Sequence, residues 1–127
     1  MSLTTLHVKP TTSTPEVKFD PKTGKFEIKG RSINENASDF YNPLIDWAKT
    51  YVGSPAGSTI VDVHFDYLNT SSSKSLMHLF NVLSTISGNE VSVNWLYKKD
   101  DEAMKEAGED FNTIVNLPFN IVETDSI

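Results

Sequence analysis

The pattern of apolar and polar residues changes period within one stretch of the chain, residues 58–87. Its first part alternates, which predicts a strand with one apolar face. That face is predicted to contain Val61, Val63, Phe65 and Tyr67. In the last part apolar residues recur every three or four positions, as in an amphipathic helix. The helical stripe contains Leu76, Leu79, Phe80, Leu83 and Ile86. Between the two lies a polar turn, residues 69–73, made of good helix N-cap residues.

Two short alternating segments, residues 16–20 and 25–29, predict a β-hairpin. Pro21 and Gly24 mark its turn, since Pro sets φ early and Gly accepts a positive φ. Gly30, Arg31 and Ser32 are predicted to end the hairpin. The preceding residues 1–14 are rich in Thr, Ser and Pro and predict a loosely ordered arm, in which residues 6–8 can add an edge strand.

A second apolar stripe follows the possible caps at residues 34–36 and predicts a helix. Its members are Phe40, Leu44, Trp47, Ala48 and Tyr51. Pro43 lies inside this stripe and removes a backbone hydrogen bond. Two structures fit: one helix kinked at Pro43, or a first turn followed by a new helix with Asn42 as its cap. Because the stripe continues through Pro43 without a change of phase, one kinked helix is favoured.

The last third of the chain predicts a strand, a helix and a strand. The first strand is predicted at residues 90–97 and the last at residues 117–123. The helix between them is predicted at residues 104–115, with Asp100 and Asp101 near its start. Gly88 and Asn89 are predicted to stop the preceding helix. Every predicted strand has one polar face, so the helices should cover one side of a single sheet. The predicted fold is α/β: one two-layer domain over residues 1–127, with a mixed sheet and the order β-β-α-β-α-β-α-β. Two right-handed β-α-β units should pair their strands in parallel.

Composition narrows the possible functions. The 127 residues are 38% hydrophobic and include seven Phe, which favours a globular protein over a disordered one. The chain has no Cys, so disulfides and thiolate chemistry are excluded, and a cytoplasmic location is expected. The net charge of −6 makes nucleic acid and anionic membranes poor partners. No apolar run is long enough to span a membrane, and no secretory signal is evident.

The polar turn is the predicted functional element. A helix N-terminus carries about half a positive charge and free N–H donors, so it accepts an added phosphate well. The same residues can also serve only as caps and turn formers. No nucleophile elbow, phosphate loop or cofactor motif is present, so the chain is not expected to be an enzyme.

Four segments carry a resemblance to a known family and together cover most of the chain, about residues 14–123. They read GRSINENASDFYNPLIDWAKTY, FDYLNTSSSKSL, WLYKKDDEAMKEAGEDF and LPFNIVE. With NTSSSK between strand and helix, the sequence resembles the SiaC family of bacterial regulatory phosphoproteins. The resemblance implies a fold similar to the STAS domain of anti-sigma-factor antagonists and no cofactor.

The resemblance also implies a partner-switching circuit that controls biofilm formation. In such a circuit a serine/threonine kinase phosphorylates the turn and a PP2C-type phosphatase removes the phosphate. The unphosphorylated form binds and activates a diguanylate cyclase, which makes cyclic di-GMP. By position in NTSSSK, the phosphorylated residue is Thr70. The partner-binding residues are expected in the turn and on the exposed side of the following helix: Asn69, Thr70, Ser71, Ser72, Ser73, Lys74, Ser75 and His78.

Two other functions remain open at this point. One is an anti-sigma-factor antagonist that acts on a kinase-like partner. The other is a small metal-dependent enzyme that uses Asp62, His64 and Asp66 on the polar face of the central strand. No fourth ligand is implied there, and a solvated sheet face explains the three residues equally well, so no metal is expected.

Overall fold

A computed structural model describes residues 3–88 and 90–125 of the chain. The strands in these residues are β1 (Leu6–Val8), β2 (Glu16–Phe19), β3 (Lys25–Ser32), β4 (Ser58–Leu68), β5 (Glu90–Lys98) and β6 (Phe119–Thr124). The helices are α1 (Ala37–Tyr51), α2 (Thr70–Leu83) and α3 (Glu102–Ile114).

The six strands form one mixed sheet whose spatial order, β1-β2-β3-β4-β5-β6, is the chain order. The first three strands pair antiparallel. The pairs from β3 to β6 are parallel, and a helix connects the strands of each pair. The α/β fold class is thus confirmed. The predicted element order is present from β2 to β6, and the possible edge strand at residues 6–8 is present as β1. This order contains three β-α-β units in the described residues, not the two that were expected.

The core lies between the helices and one face of the sheet, where apolar positions alternate along the strands. The largest fully buried side chains include Trp95, Tyr41, Tyr51, Phe19, Phe26, Phe65 and Phe80. The other face carries mostly polar side chains: Asp62 and Asn94 are neighbours across β4 and β5, and the Nδ2 of Asn94 donates to Asp62 at 2.9 Å. The two-layer arrangement follows from this one-sided burial.

The predicted hairpin is present, but its second strand does not end at Gly30. Strand β3 continues to Ser32, and Gly30 takes φ of 124° at a break in the ladder. There Gly30 pairs with Phe65 and Arg31 pairs with Tyr67, so Asp66 is passed over. Such a bulge reverses the side on which later residues point.

The bulge corrects one predicted core residue. Phe65 is buried, whereas Tyr67 turns to the open face and is 58% exposed. The Arg31 guanidinium lies 4.8 Å from the centroid of its ring. Strict alternation along the strand placed Tyr67 in the core, and the extra residue at the bulge is the reason it is not there.

Helix α1 passes through Pro43 without interruption, which confirms one helix over two. Its buried face also includes Tyr41 and Ile45, which the sequence stripe omitted. Helix α2 ends at Leu83 and not at residue 87, because the Ser84 and Thr85 hydroxyls bind the carbonyls of the last turn. Gly88 lies beyond the helix, and Asn89 falls outside the described residues.

Helix α3 is similarly confirmed, with one correction. The helical spacing of apolar residues predicts Ile114 on the buried face together with Phe111, but its side chain is 63% exposed. None of the helices in the described part of the chain is both long and apolar enough to cross a membrane.

Candidate functional site: the turn before the second helix

Strand β4 ends at Leu68, and helix α2 begins two residues later, with Asn69 as its N-cap. Asn69 has extended backbone angles, and its Oδ1 accepts a hydrogen bond from the Ser72 N–H at 2.8 Å. Its carbonyl oxygen accepts from the Ser73 N–H at 3.0 Å. The Thr70 and Ser71 N–H groups have no acceptor among the described residues. The helix start therefore keeps two free donors and the positive end of its dipole.

The four hydroxyl residues that follow Asn69 have different surroundings. Ser71 Oγ accepts from the Ala37 N–H at 3.4 Å, and Ser73 Oγ donates to the Asn69 carbonyl at 3.1 Å. Ser72 is fully buried. Thr70 is exposed at the first helical position, and within residues 3–88 and 90–125 its hydroxyl has no hydrogen-bond partner. Of the four, Thr70 is the hydroxyl most accessible to a modifying enzyme.

The burial of Ser72 corrects the predicted partner-binding set. A side chain with 0% exposure cannot contact a partner in this conformation. The sequence suggested otherwise because Ser72 sits in a polar run, while the structure uses its hydroxyl in a buried contact with Ser32. Lys74 and His78 are exposed on α2, and Ser71, Ser73 and Ser75 are half-buried.

A groove between α2 and α3 extends from the turn and encloses about 390 Å³. Thr70, Ser73 and Lys74 line the end nearest the turn. The rest is lined by Met77, Ala107, Asp110, Phe111 and Ile114. Most of the side chains supplied by α3 are apolar, and Ile114 is largely exposed there. An exposed apolar groove beside a modifiable hydroxyl fits a protein contact.

The α3 side of this groove was absent from the sequence-based site. Ile114 and Met77 do carry a signal, since each is an apolar residue at the margin of a helical stripe. Recognising the groove requires knowing that α2 and α3 are neighbours, which follows from the order of β4, β5 and β6 in the sheet.

The polar residues of β4 do not form a second site. Asp62 bonds to Asn94, and His64 is 8% exposed, with its Nε2 buried and unpaired among the described residues. Burial lowers the pKa of His64 below its usual value, although the nearby Asp66 acts in the opposite direction. In the described residues no three His, Asp or Glu side chains are grouped closely enough to bind a metal ion. The metal-enzyme alternative has no support in this geometry.

Comparison with known proteins assigns the chain to a family. The model of the SiaC family regulatory phosphoproteins matches residues 8–124. The chain belongs to the SiaC family. The resemblance inferred from NTSSSK and the other three segments is thereby confirmed. A relative described as an uncharacterized protein of Pseudomonas aeruginosa (strain UCBPP-PA14) is 31% identical over 118 residues, which are 91% of this chain and 94% of the relative.

Solved structures agree with this assignment. The crystal structure of apo-SiaC from Pseudomonas aeruginosa matches with a TM-score of 0.82 and 30% identity, covering 96% of this chain and 99% of that one. A chain in the crystal structure of the diguanylate cyclase SiaD with its activator SiaC, from the same organism, matches with a TM-score of 0.86. That match has 30% identity and covers 94% of this chain and 99% of the other. SiaC of Pseudomonas aeruginosa is thus a cyclase activator with this fold.

Proposed function

We propose that this SiaC-family chain is a phosphorylation-switched regulator, and that its unphosphorylated form binds and activates a diguanylate cyclase. The chain is a binding protein and not an enzyme. A serine/threonine kinase adds a phosphate to Thr70, and a PP2C-type phosphatase removes it. The observation that carries this proposal is the exposed hydroxyl of Thr70, which has no hydrogen bond to any described residue and lies at the end of the apolar groove.

The position of Thr70 couples modification to binding. Thr70 and Lys74 line the same end of the groove, one helical turn apart. A partner that fills the groove therefore lies against the unmodified hydroxyl. A phosphate there adds a charge of about −1.5 to −2. Removing that charge from water against a surface suited to a neutral hydroxyl costs several kcal/mol, so the phosphorylated form releases the partner.

The helix start favours the phosphate within the folded chain. The free N–H groups of Thr70 and Ser71 and the α2 dipole stabilise negative charge at this place. Lys74 forms no ion pair with another described residue and can approach the phosphate. Phosphorylation is thus expected to change the surface and to leave the fold intact.

Binding titrations against a purified diguanylate cyclase test the proposal. The unmodified chain and Thr70→Ala should bind with similar affinity, because neither carries a charge at the groove. The phosphorylated chain and Thr70→Glu should bind about 100-fold more weakly, which corresponds to about 2.8 kcal/mol. Cyclase activity should follow binding in each case.

Thr85→Glu is the matched control, since Thr85 is an exposed threonine just beyond the other end of α2. It introduces the same charge away from the groove and should bind as the unmodified chain does. Phosphopeptide sequencing after kinase treatment checks the acceptor residue. If the phosphorylated chain and Thr70→Glu bind as tightly as the unmodified chain, the switch is not at this turn.

A further inference from the structure

A chain of three buried hydroxyls lies directly beneath the turn and joins three elements. The Ser32 Oγ, at the end of β3, is 2.7 Å from the Tyr41 hydroxyl of α1 and donates to the Ser72 Oγ of α2 at 2.7 Å. Ser32 is 1% exposed, and Tyr41 and Ser72 are completely buried. Because Ser32 has one hydroxyl proton and gives it to Ser72, the Tyr41 hydroxyl donates to Ser32.

The Tyr41 hydroxyl keeps its proton at neutral pH. Burial raises the pKa of Tyr41, so its phenol keeps the proton that the network needs. Buried and mutually satisfied hydroxyls specify one arrangement of the elements that carry them, since any displacement leaves a polar group unpaired. The first turn of α2 is therefore fixed relative to both β3 and α1.

Further hydrogen bonds connect the turn to the segment between β3 and α1. The Asn69 N–H donates to the Ser32 carbonyl at 3.0 Å, and the Asn69 Nδ2 donates to the Asn34 carbonyl at 3.2 Å. The Ala37 N–H donates to the Ser71 hydroxyl at 3.4 Å. Helix ends ordinarily fray. The start of α2 is instead hydrogen-bonded to the end of β3 and to the segment that precedes α1. These contacts hold Ser71 and Ser72, and the Ser73 hydroxyl donates to the Asn69 carbonyl. Among the described residues, only Thr70 of the four has a hydroxyl without a hydrogen bond.

We infer that Tyr41, Ser32 and Ser72 are positioning residues for the phosphorylation of Thr70. They hold the first turn of α2 as a folded acceptor, so that the Thr70 hydroxyl faces the kinase and the neighbouring serines do not. The inference rests on the proposed function, because it assumes that Thr70 is the acceptor. None of the three positioning residues contacts the kinase itself.

The test compares two tyrosine-to-phenylalanine variants of α1. Tyr41→Phe breaks the network beneath the turn. Tyr51→Phe is its matched control, because the Tyr51 hydroxyl makes an equally buried bond of 2.7 Å to Thr59 at the opposite end of α1. Initial rates of phosphorylation are measured over a range of chain concentrations with the kinase that modifies the unaltered chain, and the phosphate is then located by peptide sequencing.

For Tyr41→Phe we expect kcat/KM to fall about tenfold, the equivalent of one buried hydrogen bond, and phosphate to appear on Ser71 or Ser72. Tyr51→Phe should keep the rate and place the phosphate on Thr70 only. The position of the phosphate matters most, because a general loss of stability would affect both variants alike. Ser32→Ala removes the central hydroxyl and gives the same test if Tyr41→Phe does not fold.

The outcomes separate this inference from the proposed function. A wild-type chain without phosphate at Thr70 overturns the proposed function and the inference with it. A wild-type chain phosphorylated at Thr70, with Tyr41→Phe equal to Tyr51→Phe in rate and position, overturns the inference alone. A faster reaction of Tyr41→Phe also overturns it, since the kinase would then require an unfolded turn.

Discussion

Each end of the sheet has a buried hydrogen bond from a tyrosine hydroxyl of α1, but the two bonds have different surroundings. At the turn end, where β3 and β4 finish, Tyr41 of α1 bonds through Ser32 to the start of α2. At the loop end, where β4 begins, Tyr51 of the same helix bonds to Thr59. Each bond measures 2.7 Å and is buried.

The ends differ in what the contacts leave free. At the loop end the Tyr51 hydroxyl also accepts from the Ala56 N–H at 3.2 Å, so the network closes on the connecting loop. At the turn end the network leaves the adjacent Thr70 exposed and unbonded among the described residues. A turn that is hydrogen-bonded from below and carries an exposed, unbonded hydroxyl suits a modification site, whereas the bonds at the loop end hold Tyr51, Thr59 and Ala56 together.

The largest effect is expected from breaking the loop end with Gly24→Ala. Gly24 has φ of +74°, and a Cβ there would overlap with the Ser58 carbonyl oxygen. Strain at positive φ and overpacking against backbone should together cost about 3 kcal/mol or more. For a chain of this length the melting temperature should fall by roughly 10 °C.

Gly57→Ala is the matched control, because its Cβ would have no neighbour within 4 Å and its φ is not positive. Thermal melts of both variants check the prediction. Equal melting temperatures for Gly24→Ala and Gly57→Ala would show that the loop end tolerates a displacement of Ser58. The close packing assumed at the loop end would then be wrong.

An intermediate effect, on binding alone, is expected from Ile114→Ser in the groove at the turn end. Ile114 is exposed, so unfolding free energy should change by no more than about 0.5 kcal/mol. Affinity for the diguanylate cyclase should fall about tenfold, as for an apolar anchor at an interface. Titration of the variant against the cyclase measures this.

Val122→Ser provides the comparison, since Val122 is also an exposed apolar residue but lies on β6, outside the groove. It should bind the cyclase normally. A loss of affinity in Val122→Ser as large as that in Ile114→Ser would place the contact surface elsewhere.

The smallest effect is expected on stability when the turn end is phosphorylated. A phosphate on Thr70 meets free N–H donors and the favourable end of the α2 dipole, so it should stabilise the fold by about 0.3–1 kcal/mol. Calorimetric melts of the two forms should nearly coincide. A large decrease in melting temperature on phosphorylation would mean that the modification disrupts the turn and does not act through the surface.

Features that depend on residues close together in the chain could be predicted from the sequence. Alternation and helical stripes depend on residues close in the chain, so β4, α1 and α2 were predicted with small errors at their ends. The turn was found because NTSSSK combines cap residues with a change of period. Its family resemblance supplied the role of Thr70.

The remaining features depend on residues distant in the chain. Ser72 reads as a surface serine until Ser32, 40 positions earlier, is placed against it. Tyr67 reads as a core residue until the bulge at Gly30 turns it outward. The groove needs two helices whose adjacency is set by the sheet. The spacing of apolar residues along the chain does not reveal these contacts between distant residues.

The strand order has a consequence for how the chain acquires its function. Because each strand pairs with its neighbours in sequence, the sheet can grow one strand at a time as the polypeptide emerges from the ribosome, with short loop closures at each step. The three residues of the buried hydroxyl network, Ser32, Tyr41 and Ser72, all precede β5 and α3 in the chain. The α3 wall of the groove is synthesised near the end. In folding that follows this order, the turn before α2 is supported before the groove beside it is complete.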